Sequence, residues 1–505
     1  MLNDLQLAEF IYEQPAMGDL EYTFKHALTR EVAYRSLLNE RRRVLHDRAG
    51  EAIEVLFSDH LDDHLAELAH HFTQSANAPK ATRYLTLVGK QALERSTFTE
   101  SQAQLQKGLE WVKQVPDAIE RAKLELELLL SSEETLRYAR GVGGPEAAGV
   151  MRRADELCEQ VGTDAQRFSV LIGMREVLIA SGDYESAIEK CRLALELAQR
   201  TNEPEMLQSA AGFSALTLYQ GGRLVEGLQQ ARRAIELTRF TKGKRSFLSL
   251  RAEWIAMSAA ANSLLLLGYP EQAEKTAREA LTRARQITHP TALLAAQSIL
   301  FVYLSLGMPK VAREFAEEAV LAAERSGFTY LSALWRGRMG SAIAKEGNPQ
   351  EGVGMIRSAL KQSSPDLMGA SPASALRDSL IEALSLAGRY DEAIAEADAL
   401  LANQSNLARL YLGYTYFLKG EAICGRDASA ADAEACFGKA IEITKGQSAK
   451  WWELRATNSL ARLLAKQSKR DEARAMLTEI YDWFTEGFDT ADLKDAKALL
   501  AELGG

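Results

Sequence analysis

The chain contains little cysteine, proline or aromatic side chain for its length. Its 505 residues include 4 Cys and 11 Pro, and aromatic residues make up 7%. No two cysteines stand at C-x-x-C spacing, which argues against a disulfide framework or a cysteine zinc site. We expect four small core residues in a reducing compartment. The scarcity of proline and the abundance of Ala and Leu favour helices over strands.

The sequence also lacks segments typical of membrane or nucleic-acid binding. It has no run of about 18 or more uncharged apolar residues. The first residues, Met1 to Asp4, carry neither the basic nor the apolar region of a signal peptide. The net charge of −9 is spread along the chain without a long basic stripe. We expect a soluble, cytoplasmic protein that binds neither membrane nor nucleic acid.

One pattern returns eight times at a spacing of about forty residues. Each copy has a small residue at a helix corner, another small residue five positions later, and a small-then-aliphatic pair at positions +12 and +13. The corners are Gly182, Gly222, Gly268, Gly307, Gly347, Gly388, Ala428 and Ser468. The +5 residues are Ala187, Gly227, Ala273, Ala312, Gly352, Ala393, Ala433 and Ala473. The pairs include Ala194–Leu195, Ala234–Ile235, Ala280–Leu281, Ala319–Val320, Ala359–Leu360 and Ala440–Ile441, with Leu400–Leu401 and Ile480–Tyr481 as imperfect members.

A fixed period of this kind is typical of stacked helix pairs that bury one continuous core. We therefore predict an all-α, tetratricopeptide-like solenoid, with helix A before each corner and helix B after it. The +5 residue would lie where helix B crosses helix A, because a large side chain there would push the axes beyond ~8–10 Å. We assign 60–145 to N-terminal repeat-like helices and 146–505 to about eight helix pairs, with Gly141–Gly144 as a hinge.

The N-terminal segment, 1–59, differs from the repeats. A short helical pattern precedes Pro15, residues 21–26 alternate like a strand, and Thr29 can cap a following helix that runs towards Phe57. A helix, a wing and a second helix are what a small winged-helix-like module needs.

The two ends of the chain carry motifs that resemble a known protein family. At the N-terminal end these are Leu5-Gln6, Glu9-Phe10-Ile11-Tyr12-Glu13, Tyr22-Thr23-Phe24-Lys25-His26-Ala27-Leu28, Glu31-Val32-Ala33-Tyr34, Leu37-Leu38, Arg41-Arg42-Arg43, His46 and Leu68-Ala69-His70-His71-Phe72. At the C-terminal end they are Trp483-Phe484-Thr485-Glu486-Gly487-Phe488-Asp489-Thr490, Asp492-Leu493-Lys494 and Ala498-Leu499-Leu500. Together they resemble the C-terminal half of bacterial signalling proteins that join a class III adenylate/guanylate cyclase domain, an AAA-type (STAND-like) ATPase domain and a tetratricopeptide array.

This resemblance implies a sensor or interaction arm of an ATP-dependent, cyclase-linked system, and it leaves alternatives open. The sequence has no G-x-x-x-x-G-K-[ST] phosphate loop, and Lys242–Arg245 does not supply one. We therefore expect no enzyme activity and no cofactor in this chain, with an ATPase or cyclase domain supplied in trans. Alternatively, the chain is the C-terminal part of a larger cyclase or ATPase. A third alternative, a STAND-type transcription regulator, is weakened by the acidic N-terminal module.

Candidate binding residues fall into two groups, and neither contains a catalytic set. Aromatic and Arg side chains on helices A are candidates for binding a protein or effector in the concave groove: Trp254, Tyr303, Trp335, Arg338, Tyr411, Tyr414, Trp451 and Arg455. Candidates for docking an ATPase domain are Phe24, His26, Tyr34, Arg42 and His46. Ordinary packing between repeats competes with the groove assignment for most of the aromatics. His60, His64, Glu67 and His71 share helical spacing, but Asp59 and Asp62-Asp63 indicate that a turn interrupts the first part of this helix. We therefore expect a structural or solvated role for these residues and no metal.

Overall fold

Helices form nearly all of the described chain in this computed structural model. The structure describes residues 2–15, 20–95, 97–140, 144–241, 246–286, 299–362, 370–402, 408–427 and 430–504. It divides into an N-terminal unit, Met1–Ser131, and a C-terminal unit, Ser132–Gly505. Three predicted features lie outside the described residues: the hinge at 141–143, the segment 242–245 and the corner Ala428.

The N-terminal unit begins with a hairpin and then becomes helical. Its elements are α1 Leu2–Leu7, β1 Ile11–Pro15, β2 Leu20–Phe24, α2 Ala27–Ser36, α3 Asn39–Leu56, α4 Leu65–Ser75, α5 Ala78–Glu94, α6 Phe98–Val112 and α7 Ala118–Arg140, which extends into the C-terminal unit. The strands are antiparallel, with Ile11 opposite Phe24 and Pro15 opposite Leu20. A strand was predicted in this place. Thr29 is not the helix cap that we predicted, because α2 already begins at Ala27 and its N-cap residue is His26.

The residues before α4 do not form a core of their own. Among the described residues from 2 to 57, only Ile11 and Gly50 are buried. Gly50 packs on Phe72, whose ring would lie 2.6 Å from an added Cβ. The core of this unit begins at α4 and α5, where Phe72 stacks on Tyr84 with ring centroids 5.4 Å apart. A winged-helix core is therefore not confirmed.

The C-terminal unit contains a helix pair around each of the eight predicted corners. Its further helices are α8 Pro145–Val161, α9 Asp164–Ala180, α10 Tyr184–Thr201, α11 Pro204–Gln220, α12 Leu224–Leu237, α13 Phe247–Leu266, α14 Pro270–Gln286, α15 Ile299–Ser305, α16 Pro309–Arg325, α17 Thr329–Lys345, α18 Pro349–Gln362, α19 Ala370–Leu386, α20 Tyr390–Ala402, α21 Leu412–Gly425, α22 Ala430–Gly446, α23 Lys450–Lys466, α24 Arg470–Tyr481 and α25 Ala491–Gly504. The pairs are α9/α10 through α23/α24, and the fold is a tetratricopeptide-like solenoid, as predicted.

The corners have the backbone geometry that ends a helix and reverses the chain. Gly347 has φ +102°, and the N–H of Asn348 donates to the carbonyl of Ile343 at 3.1 Å. This left-handed residue followed by a long return hydrogen bond is how a glycine closes a helix C-terminus. The other described corners also have positive φ, including Ser468 at 64°.

The small residues of the repeat lie at helix crossings. All eight +5 residues are buried, and so are the small residues at +12. Two of the +5 residues are glycines because their helices cross very closely. A Cβ on Gly352 would lie 2.5 Å from the carbonyl oxygen of Gly340, and one on Gly227 would lie 3.2 Å from that of Ala215. The predicted role of the +5 position is therefore confirmed.

The cysteines only partly follow expectation. Cys158, Cys191 and Cys436 are buried free thiols, as predicted for small core residues. Cys424, near the end of α21, is exposed, so its assignment to the core was wrong.

Candidate functional site

Within the C-terminal unit, early repeats contact late repeats across the array. Glu185 and Arg409 form an ion pair at 2.5 Å, and Gln447 packs against Gly222. Further contacts join α9 to α19, α11 to the turn at 409–411, and α13 to α23. All of these helices are helices A, so the inner side of the early repeats contacts the inner side of the late repeats. We call this inward-facing side of the array the lumen.

The C-terminal segment 483–487, which we call the clasp, makes several further contacts with an early repeat. Glu486 accepts hydrogen bonds from the backbone N–H groups of Glu271 at 2.9 Å and Gln272 at 3.1 Å. In return, the N–H of Gly487 donates to the carboxylate of Glu271 at 2.9 Å. Helix α14 begins at Pro270, so Glu486 places its negative charge at the positive end of that helix. The clasp thus caps a helix more than 200 residues earlier in the chain.

Aromatic packing reinforces the clasp. The indole N–H of Trp483 donates to the carbonyl of Leu267 at 3.3 Å, and the Lys450 ammonium lies 4.8 Å from the centroid of the Trp483 ring. The Phe484 ring lies edge-on to Trp451, with centroids 6.2 Å apart. The motif that resembles a C-terminal family signature therefore closes the array.

We expect Glu486→Ala to loosen the clasp without unfolding the repeats. Removing the carboxylate leaves the N–H groups of Glu271 and Gln272 without their charged acceptor, and such hydrogen bonds contribute about 1.5–3 kcal/mol each. Hydrogen–deuterium exchange at these two amides should accelerate roughly tenfold or more. The control is Asp489→Ala, because Asp489 is fully exposed and only 3.7 Å from Lys494. Unchanged exchange in the Glu486 variant would mean that the Glu486 carboxylate does not protect the start of α14.

Polar and aromatic side chains from five inner elements meet in the lumen. This lumen cluster consists of Tyr219, Asn262, Tyr330, Arg338, Tyr411 and Trp452. Burial lowers the pKa of the Arg338 guanidinium, whereas the hydroxyls of Tyr219, Tyr330 and Tyr411 raise that pKa. Burial and the neighbouring hydroxyl of Tyr411 raise the pKa of Tyr219. One cation is therefore held in an enclosed place among neutral hydroxyls.

Trp452 forms the aromatic wall of this cluster. Tyr414 stacks on it with ring centroids 4.9 Å apart, and Tyr411 and Phe301 approach it at 5.9 and 5.8 Å. The indole Nε1 of Trp452 has no hydrogen-bond partner among the described residues. Asn262 is buried beside Tyr219, and its amide favours the charged form of the tyrosine and so lowers the pKa of Tyr219.

The structure separates the predicted groove residues into two sets. Trp254, Tyr303, Trp335 and Trp451 are buried in the packing between helices; Trp335, for example, lies edge-on to Phe315 at 5.1 Å. Arg338 and Tyr411 belong to the lumen cluster, and Tyr414 adjoins it.

Arg455 also has partners within the chain. It forms an ion pair with Asp492 at 3.0 Å and lies 3.4 Å from the Tyr414 hydroxyl. Sequence reasoning missed Tyr219, Asn262 and Tyr330, although the amide of Asn262 within an Ala- and Leu-rich run was a usable signal.

A second buried charge cluster holds the first repeats of this unit together. Glu176 pairs with Arg137, Arg175 and Arg251. The guanidinium carbons of Arg175 and Arg251 lie 4.9 and 4.8 Å from the centroid of Phe213. Helices α7, α9 and α13 are thereby linked through one carboxylate, an arrangement that suits packing between repeats.

In the N-terminal unit, the structure brings three of the five predicted docking residues together. The Tyr34 hydroxyl lies 2.9 Å from Nε2 of His46, and the Arg42 guanidinium lies 5.2 Å from the Tyr34 ring centroid. His46 also contacts His71, with their Nδ1 atoms 3.0 Å apart. Burial and positive neighbours lower the pKa of His46, and burial does the same for His71.

The other two docking candidates, Phe24 and His26, lie elsewhere, at the end of β2 and at the N-cap of α2. His60, which we considered with His64 and His71, lies in a 3-10 turn with non-helical φ and ψ, so the predicted interruption of the helix is present. Within the described ranges, no group of three or more His, Cys, Asp or Glu side chains is arranged to hold a metal ion. None of the described helices is both long and apolar enough to cross a bilayer.

Apolar side chains of the N-terminal segment face solvent. Leu7 and Leu38 are 85% and 80% exposed, and Leu28, Val32, Val55 and Leu56 are also largely exposed. Isolated exposed apolar residues are common, but this many within 57 residues leave a large amount of apolar surface uncovered. We call the part of it on α2 and the start of α3 the junction face, with Leu28, Val32 and Leu38 as its main residues.

Comparisons with known proteins bear on the fold. No family model matches the chain, and no curated protein matches it. A Rap protein complexed with Competence and Sporulation Factor is 12% identical, with 84% of this chain and 99% of that chain covered and a TM-score of 0.43. The APC/C hetero-tetramer Cut9–Hcn1 is 11% identical, with 91% of this chain and 86% of that chain covered and a TM-score of 0.49. The human IFIT1 dimer with m7Gppp-AAAA is 15% identical, with 83% of this chain and 90% of that chain covered and a TM-score of 0.44. These structures are similar to the chain in their tetratricopeptide-like helical repeats.

Proposed function

We propose that this chain is a non-catalytic interaction and sensor module of an ATP-dependent, cyclase-linked signalling system. It binds an effector in the lumen of its repeat array. Its junction face docks on the ATPase domain of that system, supplied in trans. The observation that carries the proposal is the junction face, an apolar surface on helices that bury almost nothing of their own.

Energetics support docking at this surface. Burying one Leu or Val side chain is favourable by about 1.5–3 kcal/mol, so three such residues supply a substantial driving force. Arg41, Arg42 and Arg43 follow directly along α3, with Arg41 and Arg43 exposed. Arginine on the border of an apolar patch is typical of protein interfaces. The resemblance of this segment to the junction of cyclase–ATPase proteins supports an ATPase domain as its partner.

An affinity capture from native lysate tests the proposal, with and without added ATP. Wild-type protein should recover an ATPase or a cyclase, and the exchange Val32→Asp with Leu38→Asp should lose at least about 90% of it, because two buried carboxylates are costly to desolvate. The matched control is Leu321→Asp, since Leu321 is a comparably exposed apolar residue of the C-terminal unit. Recovery of the same partner by the junction variant would overturn the proposal.

The same surface can dock on a domain of the same polypeptide. An immunoblot of native cells distinguishes the two arrangements, since a chain of 55.6 kDa fits docking in trans. A substantially larger band would mean that the ATPase domain belongs to the same chain.

A further inference from the structure

We propose that His46 and His71 form a proton-sensitive hinge, which holds the start of α3 on α4 near neutral pH and releases it in mild acid. We call this pair the histidine hinge. The junction face lies on α2 and the start of α3, so the histidine hinge sets the position of that surface. This consequence rests on the proposed function, whereas the hinge itself is a property of the chain alone.

The C-terminal half of α3 is fixed to the helices that follow it. Gly50 packs on the ring of Phe72, which leaves no room for a side chain at position 50. Glu54 accepts a hydrogen bond from the Tyr84 hydroxyl at 2.5 Å and pairs with the Lys80 ammonium at 2.7 Å. Close packing and a hydrogen-bonded ion pair therefore hold this end of α3.

Nearer to its N-terminus, α3 is held differently. Val44 and Leu45 remain exposed, and His46 contacts His71 of α4 with the two Nδ1 atoms 3.0 Å apart. A hydrogen bond at this distance needs one N–H, which donates to the lone pair of the other ring. On its other side, Nε2 of His46 lies 2.9 Å from the Tyr34 hydroxyl, which can donate or accept. One proton between the two rings therefore satisfies the contact.

A second proton breaks the contact. An imidazolium carries an N–H on both nitrogens and has no lone pair. If both rings are protonated, two N–H groups and two positive charges face each other across the same 3.0 Å. Neither ring can then accept from the other, so the start of α3 separates from α4 while its C-terminal half stays packed.

Positive neighbours make this second proton still less favourable. The His70 ring centroid lies 5.7 Å from that of His46 and 5.6 Å from that of His71. The Arg42 guanidinium lies 5.2 Å from the centroid of the Tyr34 ring. Burial lowers the pKa of both hinge histidines; His71, His70 and Arg42 lower that of His46 further, and His70 lowers that of His71 further.

The negative charges near the hinge already have partners. Glu67 raises the pKa of His71, but its carboxylate lies 3.0 Å from Nδ1 of His64. Asp47, which follows His46, accepts a hydrogen bond from the Asn77 amide at 3.1 Å. These carboxylates therefore do not offset the charge of a doubly protonated pair.

The direction of the pH effect follows from the lowered pKa values. A histidine released into water takes up its proton near the ordinary value of 6.5, whereas the two rings in the closed hinge do so only at lower pH. Below 6.5 the open form therefore binds more protons than the closed form. The stability of the contact is complete above this value and is lost as the pH falls through the lowered pKa values.

Hydrogen–deuterium exchange of the full chain tests the hinge at about pH 7.5 and about pH 5, the range in which histidine clusters titrate. Protection factors are compared, because they correct for the effect of pH on the exchange chemistry. Protection of residues 43–47 should fall roughly tenfold or more in acid, as one unit of pKa corresponds to a factor of ten. Residues 50–56 should keep theirs. Equal protection of residues 43–47 at both pH values would overturn the inference.

Asparagine variants assign the effect to the two rings. In His71→Asn the side-chain amide takes the place of Nδ1 and can donate or accept, but it does not titrate. Protection of residues 43–47 should then be the same at both pH values. His46→Asn is the reciprocal variant with the same expected result, and it tests the hinge even if His71→Asn does not fold.

His60→Asn is the matched control, because His60 is an exposed histidine of the same unit. It should show the same loss of protection in acid as wild type. A loss that persists in both asparagine variants of the hinge, or that disappears in the control as well, would contradict the assignment to His46 and His71.

Capture of the ATPase or cyclase partner at the same two pH values tests the consequence for the junction face. Wild type should recover roughly tenfold less partner than His71→Asn at about pH 5 and the same amount at about pH 7.5, since the apparent affinity falls with the fraction of the docking conformer. Identical pH dependence of the two proteins would show that the hinge does not regulate docking. Absence of any captured ATPase or cyclase at about pH 7.5 would sink the proposed function alone, because exchange measures the hinge without a partner.

Discussion

Gly352→Ala is expected to destabilise the C-terminal unit by about 1–3 kcal/mol, the usual cost of overpacking a close contact. A Cβ at this position would lie 2.5 Å from the carbonyl oxygen of Gly340 and 2.7 Å from the Cβ of Ala344. Neither obstacle can rotate away, because one is backbone and the other is the first side-chain atom of helix A. Helix α18 must therefore move away from α17, and the packing of the following repeats moves with it.

The control for this substitution is in the same helix. Gly354 has nothing within 4 Å of an added Cβ. Gly354→Ala should stabilise the protein by up to about 1 kcal/mol, because alanine loses less conformational freedom in a helix. Thermal unfolding followed by circular dichroism compares the two. Equal melting temperatures would show that the helix crossing at Gly352 has room for a methyl group.

Asp378→Asn is expected to raise stability at pH 8 by about 2–5 kcal/mol and to leave it nearly unchanged at pH 4. Burial raises the pKa of Asp378 to about 8. The Thr415 hydroxyl lies 2.8 Å from Asp378 and 3.1 Å from the carbonyl oxygen of Tyr411. A hydroxyl has one proton, so if Thr415 donates to that carbonyl, a protonated Asp378 donates to Thr415. An asparagine amide can donate in the same way.

The direction of the pH effect follows from the two protonation states. The unfolded chain releases this proton near the ordinary value of 3.8, whereas the native state keeps it up to about pH 8. The native state therefore binds more protons between these values, and the stability from Asp378 is complete below 3.8 and is lost as pH rises to about 8. An asparagine at position 378 cannot ionise, so the variant does not lose this stability as the pH rises.

Melting temperatures of wild type and variant at both pH values check this prediction. Asp391→Asn is the matched control, because Asp391 is exposed and forms its ion pair with Arg426 in solvent. A gain for Asp378→Asn that is the same at pH 4 and pH 8 would mean that Asp378 is ionised in the native state.

The helix pairs were predictable because their physics is local. A corner such as Gly347 ends a helix through hydrogen bonds within six residues, and the steric limit at Gly352 arises from the helix just before it. Both recur at a fixed spacing, so a short pattern in the sequence contains the information. The alternation of helices A and B along the chain follows from this repeated pattern.

The lumen was only partly predictable. Whether an aromatic side chain on helix A faces a neighbouring helix or the lumen depends on small differences in helix phase. Trp335 turns into the packing against Phe315, whereas Arg338, on the same helix, reaches the lumen. Tyr219 acquires its neighbour Tyr411 from a repeat far along the chain, and no pattern within one repeat specifies such a contact.

In the N-terminal segment, the strand could be predicted from the sequence but the exposure of the helices could not. Alternating residues indicated the strand that became β2, because a strand has a period of two. The pattern could not show that the helices after the hairpin would stay exposed, since an apolar helical face looks the same whether it packs within the chain or against a partner. The exposed Cys424 was misjudged for a similar reason, because small residues suit both sides of a helix.

The clasp changes what happens while the chain is being synthesised. The cap of α14 is Glu486, which emerges from the ribosome about 215 residues after the helix that it caps. At about 5–20 residues per second this helix waits roughly 10 to 45 s for its cap. The number of repeats in between is equally constrained, since an added repeat of about forty residues would move Glu486 away from Glu271. An open solenoid can gain or lose repeats during evolution, but this array can do so only by giving up its closure.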